Sequence, residues 1–337
     1  RIMNVEQKKI DALNIELTLN ISAEDYAPAK KKRFANYKRK ADFKGFRKGM
    51  VPASLIERVY GEQILAEAVN EVISESLNSF IKDNNLNIIG EPLSSESQPA
   101  VEWKDGNAFT FLFDIALTPE FELEVAASDE IPSYTVTIAA EDKQPMIESY
   151  KKYYEEQKSK DENAEVKTDE EIDSEVSERL NAQYKDEADW KLNKDIRDYL
   201  VSKAGFEVPE AFLKRWLLAV NGDKITQEDL EKEFPGFIKD YKWQLVRNFL
   251  MKKFDLKIEN KDITDAAEAF VRYNYAMYGL PDVPAEILAE QVNGILHDQK
   301  QLERILEQVE DQKVIAKVKE TVTLKPREIS AADFRNL

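Results

Sequence analysis

The sequence predicts an α+β fold: an amino-terminal antiparallel sheet with long helices, an extended linker, and an all-helical carboxyl-terminal body with arms. Three observations carry this prediction. Apolar residues alternate strictly over residues 13–21 and again over 109–117. Between them, residues 65–81 space their apolar side chains by three and four, the period of a helix packed on one face. After about Ala139 the helical period persists almost to the end of the chain.

Taken in order, LNIELTLNI places Leu13, Ile15, Leu17, Leu19 and Ile21 on one face of a half-buried strand. Ser22 precedes Asp25 at capping-box spacing and Pro28 is tolerated in an opening turn, so a helix begins here and carries a basic run to about Ala41. Gly45 and Gly49 end that helix. Pro52 can open the next, in which Leu65, Val69, Val72, Ile73, Leu77, Phe80 and Ile81 form the buried stripe. Short strand signals follow at NLNIIGEPL and at Val101–Trp103, then a turn at Asp105–Gly106. In FTFLFDIAL, Phe109, Phe111, Phe113, Ile115 and Leu117 share the face that the long helix covers. IPSYTVTI reads as a linker strand.

The stretch EEQKSKDENAEVKTDEEIDSEVSE is almost devoid of large apolar residues and reads as a solvated helix or a disordered junction rather than core. Beyond it, Phe212, Leu213, Trp216, Leu217 and Val220 form a stripe after Val208–Pro209 that stops at Gly222, and Trp243, Val246, Phe249, Leu250 and Phe254 mark another helix. Thr264 is positioned to cap a helix bearing Ala267, Phe270, Val271, Tyr275 and Tyr278, ended by Gly279 and Pro281. Further helices run from about Pro284 to Glu320, and VTLKPREIS closes the chain in extended form.

A length of 337 residues fits two or three domains, and the pattern divides them as 1–120, 121–160 for the extended linker and first helix, and 161–337. Met3 reads as a natural start. The absence of any apolar run of roughly 18 residues and of a secretory pattern at the amino end points to a soluble, cytoplasmic protein with no membrane partner. With no cysteine, disulfides, thiolate metal sites and a cysteine nucleophile are excluded. His297, the one histidine, lies in a polar helical stretch with no metal or catalytic motif around it, and acid pairs such as Glu170 and Glu171 lie in solvated runs. Neither a Walker loop nor GxGxxG is present. No catalytic, cofactor or metal site is expected.

Charge is distributed unevenly. Residues 1–60 hold 14 Lys and Arg against 7 Asp and Glu, a balance of +7, which leaves −24 of the formal −17 for residues 61–337. Ten of those cations lie between Lys30 and Lys48, with Asp42 the one acid among them. Such a field attracts phosphate or acidic protein surface. Inside it, DFKGFRKGMVP uses two glycines to turn sharply around Phe46, Arg47 and Lys48. Either Phe46 projects as an apolar anchor flanked by cations, or it tucks back into the core as part of an ordinary helix-to-helix loop.

GFRKGMVP between a basic helix and LIERVYGEQILAEAVNEVISESL, followed by NIIGEPL, resembles the ribosome-binding domain of the trigger factor family of bacterial chaperones. FEVPEAFLKRWLLAVN is similar to that family's carboxyl-terminal body. The resemblance implies an ATP-independent chaperone, without cofactor, that docks beside the ribosomal exit tunnel, contacting a ribosomal protein and rRNA, and shields nascent or unfolded polypeptides. It assigns docking to Gly45, Phe46, Arg47, Lys48 and Gly49, and implies a possible homodimer off the ribosome. The candidate client-binding cluster is Phe270, Tyr273, Tyr275, Met277 and Tyr278, for which core packing is the competing reading. Two departures stand out. Lys44 occupies the place where the family usually has proline, and the peptidyl-prolyl isomerase module of most members is absent near 157–166, so no isomerase activity is expected. The alternative is an RNA-binding adaptor that uses the basic 30–48 segment.

Overall fold

Alternation becomes a strand wherever one face can be covered, and the computed structural model, which describes residues 4–164 and 166–337, places β2 at Asn14–Ile21 with Ile15, Leu17, Leu19 and Ile21 buried. Met3, the expected start, lies outside the described residues. β2 is central in an antiparallel sheet ordered β1 (Asn4–Lys9), β2, β4 (Phe109–Leu117), β3 (Ile88–Ser94). Its register sets Ile15 opposite Ile115, Leu17 opposite Phe113, Leu19 opposite Phe111 and Ile21 opposite Phe109, so both apolar sets face the same way. β1 was not foreseen, because NVEQKK has too little apolar content to show a period.

The sheet's buried face is covered by α2 (Ala53–Asp83) through Leu65, Val69, Val72, Ile73 and Leu77. Each such side chain contributes on the order of 1.5–3 kcal/mol by leaving water. α1 (Ala23–Lys40) starts where expected: the Asp25 carboxylate accepts from the Ser22 backbone N–H at 2.8 Å and from its Oγ at 2.6 Å. Buried Tyr26 ties this helix to the foreseen turn, its hydroxyl donating to the Asn107 carbonyl (3.1 Å) and accepting from Gly106 N–H (2.9 Å). Val101–Trp103 is not a strand. The side-chain amide of Gln98 donates to the Thr110 carbonyl (3.1 Å) and accepts from Leu112 N–H (2.6 Å), taking the edge of β4 that a further strand would need, while Val101 and Trp103 pack their side chains on the core.

The chain divides into two compact units, residues 1–120 with 206–239 and residues 121–205 with 240–337. The first therefore includes α5 (Glu210–Asn221), which the sequence pattern groups with the helical body. The reason lies in two side chains. Arg215 donates to the Asp114 carboxylate (2.7 Å) and the Ser94 carbonyl (2.8 Å), and the Trp216 ring occupies the space that a Cβ on Gly90 would fill. Gly90 also sits at φ +63°, so glycine is required there twice over. α6 (Gln227–Lys253) supplies residues to both units.

In the second unit, α3 (Ala140–Lys160) is followed by α4 (Asp169–Ala204), capped by a reciprocal Thr168–Glu171 pair. The acidic stretch is not simply solvated: Ile172 and Val176 are buried, the first of a stripe that continues at Leu180, Tyr184, Ala188, Leu192, Ile196 and Leu200. One apolar residue every fourth position is enough when partners lie along the whole helix, though it makes a sparse signal among charges. α7 (Asn260–Met277), α8 (Ala285–His297) and α9 (Gln299–Thr321) share a further core built on Ala267, Val271, Val292 and Val309. Thr264 is not the cap of α7; its hydroxyl bonds the Asn260 carbonyl inside the helix, and Glu259 N–H to Asp262 (2.8 Å) forms the cap instead.

The body is not wholly helical. The linker strand, β5 (Glu130–Thr137), pairs in parallel with β6 (Thr323–Ser330), Ile131 opposite Leu324 and Val136 opposite Ile329, and the short α10 (Ala331–Phe334) follows. Asp129, at the entry to β5, is buried. Burial alone would raise its pKa, but the Lys203 ammonium (2.6 Å), Tyr199 hydroxyl (2.5 Å) and Ala126 N–H (2.9 Å) outweigh burial and hold it below the ordinary value.

Candidate functional site

Two glycines shape the segment between α1 and α2. Phe46 N–H donates to the Phe43 carbonyl (3.0 Å) and Met50 N–H to the Arg47 carbonyl (2.9 Å), closing two successive turns. Gly45 and Gly49 occupy the third position of each at φ +93° and +82°, which side-chain-bearing residues rarely adopt. Nothing lies within 4 Å of where a Cβ would stand on either, so backbone conformation and not space demands glycine. Lys44 is the second residue of the first turn, the position where proline is favoured.

The loop is pinned at both ends. Ala41 and Val51 are buried with Ile56 and Ile64, and Phe43 meets the Tyr60 ring edge-on at 6.1 Å. Between these anchors Phe46 is 43% exposed and Met50 71% exposed. Arg47 has no ion pair among the described residues, and Lys48 approaches Asp42 only at 3.9 Å with both side chains in solvent, a contact worth little. The reading in which Phe46 fills the core is not what the structure adopts. Met50, which sequence reasoning left unassigned, stands beside this group at the end of the second turn; only the turn geometry reveals its exposure.

Part of the basic run on α1 is committed within the chain. Arg33 donates to Glu67 and Glu71 (both 2.7 Å), Lys30 pairs with Asp105 (2.7 Å) and Glu57 (3.3 Å), and Lys32 lies 3.8 Å from Glu71. Burial would lower the Lys30 pKa, but hydrogen bonds and charge from Asp105 and Glu57 raise it overall. The Glu67 carboxylate accepts from the Tyr37 hydroxyl (2.6 Å), which chiefly holds its pKa below the ordinary value. Among the described residues Lys31, Lys38, Arg39 and Lys40 of α1 hold no acid, and together with Lys44, Arg47 and Lys48 of the loop they carry the positive field left for a partner.

On α7, the residues that could equally have been core point outward. Phe270, Tyr273 and Met277 are exposed at helical spacing, and the strip continues over the helix end to Tyr278, 86% exposed, and Leu280. Tyr275 differs: it is half-buried against the cluster of Ala267 and Val271. The helix satisfies its packing with alanine and valine, leaving the aromatics free. His297 is exposed, its Nδ1 2.8 Å from the Asn293 carbonyl, which can only accept. Among the described residues no three His, Asp or Glu side chains cluster as metal ligands would, and no helix is long and apolar enough to cross a membrane.

A family model described as "Bacterial trigger factor protein (TF)" matches residues 3–150, and one described as "Probable trigger factor, C-terminal domain" matches residues 188–337. Trigger factor of Coxiella burnetii (strain CbuK_Q154) is 30% identical over 154 residues, 46% of this chain and 34% of that protein. Trigger factor of Citrifermentans bemidjiense is 32% identical over 122 residues, 36% of this chain and 27% of that protein. The matched stretch thus spans about a third or less of these curated relatives. A solved structure described as "Promiscuous Substrate Recognition in Folding and Assembly Activities of the Trigger Factor Chaperone" shares the fold, with a TM-score of 0.54 at 13% identity over 94% of this chain and 99% of that one. With family models matched at both ends and the fold shared across nearly its whole length, the chain belongs to the trigger factor family.

Proposed function

We propose that the chain is an ATP-independent chaperone that docks on the ribosome through the 45–49 loop and shields apolar segments of emerging polypeptides. The observation that carries this reading is the glycine-hinged tip itself: an exposed aromatic beside Arg47, which holds no acid among the described residues, and the weakly held Lys48, on a buried base, is suited to a partner that offers an apolar notch rimmed by carboxylates or phosphates. Ribosomal protein and rRNA beside the exit both fit that description. Clients then meet the outward strip of Phe270, Tyr273, Met277 and Tyr278, with Tyr275 at its buried edge. Contacts with scattered aromatics are individually weak, and attachment at the source of clients compensates through effective concentration. Release needs no ATP, because a folding client withdraws its own apolar surface.

Replacing Phe46, Arg47 and Lys48 together by alanine is expected to abolish co-sedimentation with ribosomes while leaving suppression of aggregation in solution intact. Unchanged co-sedimentation would remove the docking assignment. An RNA-binding adaptor using α1 is disfavoured, since Lys30 and Arg33 already hold acids of their own chain.

The same reading gives this chain no isomerase role. Between the matched segments α3 runs to Lys160 and α4 starts at Asp169, and half-buried Met146, Ile147 and Tyr150 of α3 pack against the cluster of Ile172 and Val176 on α4, which supports reading this span as helical body. Refolding of a substrate limited by a prolyl bond should proceed at the uncatalysed rate in its presence; clear acceleration would refute this.

A further inference from the structure

We propose that Met50 is a site of reversible oxidation, at which a peroxide converts the thioether to the sulfoxide and thereby releases the chain from the ribosome. The chain has five methionines and no cysteine, so thioethers are the sulfur it offers to an oxidant. Their exposure falls into two groups. Met50 is 71% exposed and Met277 69% exposed, whereas Met146 and Met251 are partly buried, Met146 against the cluster of Ile172 and Val176. Among the described residues, both well-exposed thioethers therefore stand in surfaces proposed to bind partners, one in the docking loop and one in the α7 strip. The inference rests on the docking reading.

Backbone geometry puts Met50 inside the docking footprint. Its N–H donates to the Arg47 carbonyl (2.9 Å), closing a turn whose end Cα atoms lie within about 7 Å of each other. One face of a specific complex covers about 800 Å², so a partner seated on Phe46 and Arg47 also meets Met50. The thioether adds apolar contact there, whereas the sulfoxide is polar and accepts hydrogen bonds without donating any. A partner rimmed by carboxylates or phosphates offers acceptors as well, so it leaves the new oxygen unpaired once covered. Donors close by belong to Arg47 and Lys48, and either one that turns to the sulfoxide is withdrawn from the partner. The step balances without a cofactor. The sulfur lone pair takes one oxygen of hydrogen peroxide, the O–O bond breaks, and the other oxygen leaves as water with the proton of the first. Sulfur loses two electrons and the peroxide gains them. Return to the thioether consumes two thiols, which become a disulfide as water is released; the chain has no thiol, so an external sulfoxide reductase supplies them.

The test treats the full chain with hydrogen peroxide, follows oxygen gain at each methionine by peptide mass spectrometry, and measures co-sedimentation with ribosomes. Met50 and Met277 should gain oxygen ahead of Met146 and Met251, and ribosome affinity should fall about tenfold. Sulfoxide reductases for both epimers, with dithiothreitol, should restore it. Referred to each protein's own untreated affinity, Met50→Leu should lose nothing on treatment, and Met277→Leu should lose as much as the unaltered chain. Both side chains are exposed, so neither change threatens the fold. Four results each overturn the site: unchanged affinity of a chain carrying the Met50 sulfoxide, an equal loss in Met50→Leu, slower oxygen gain at Met50 than at Met146, or no recovery with the reductases. Failure of the docking reading is seen separately, as untreated chain that stays on ribosomes despite alanine at Phe46, Arg47 and Lys48, and it removes the site as well.

Discussion

Gly45 and Gly49 hold conformations that an L-residue enters only at a cost, and the loop's exposure leaves no packing to offset it. Gly45→Ala should therefore destabilise the looped form by about 1–2 kcal/mol and weaken ribosome co-sedimentation although no contacting side chain has changed. Lys44→Pro should act in the opposite direction. It fits the second position of the turn and restricts the unfolded chain, for a gain of about 0.4–1 kcal/mol in urea denaturation. A loss on introducing proline would mean that the Phe43–Phe46 turn does not persist in solution. Both glycines and the cations between them were legible in the sequence; the outward placement of Phe46 and Met50 was not, because exposure depends on what Phe43 and Val51 already fill.

Among the helices, α4 shows how little apolar content a buried face needs. Ile172 and Val176 stand in a stretch so rich in acids that it reads as solvated, yet both are buried, against α3 and α10. Ile172→Ala is expected to cost about 2–5 kcal/mol by urea denaturation, as for a core isoleucine. A change below about 0.5 kcal/mol would place this turn in solvent. α7 gives the converse lesson: five apolar side chains at its end looked sufficient for core, but Ala266, Ala267 and Val271 already fill its buried side and only Tyr275 joins them. Period alone identifies a helix; which stripe it buries depends on its neighbours.

Over the molecule as a whole, several carboxylates are held below their ordinary pKa by hydrogen bonds or cations, among them Glu67, Asp129, Asp262 and Asp298. A depressed folded-state pKa contributes stability that is fully present above the unfolded-state value and disappears as pH falls through the folded-state value. The thermal midpoint should accordingly be steady near neutrality and decline progressively from about pH 5 to about pH 2. A midpoint that stays level or rises over that range would show that these contacts do not form in solution. Lys30, raised by Asp105 and Glu57, works with the opposite sign: its contribution is present below its unfolded-state pKa and is lost as pH rises through the folded one.

Local patterns were enough to define β2, β4, α1, α2 and most of the helices beyond residue 139, the acidic start of α4 excepted, because alternation, three-four spacing and caps depend on neighbours in the chain alone. The glycine-bounded cationic segment and the family resemblance were equally local. Long-range partners settled the rest: β5 found β6 almost two hundred residues away, Gln98 closed the edge where a strand was expected, and Trp216 on Gly90 with Arg215 on Asp114 placed α5 with the amino-terminal sheet. Burial is a property of pairs of surfaces, and a sequence pattern describes only one member of each pair.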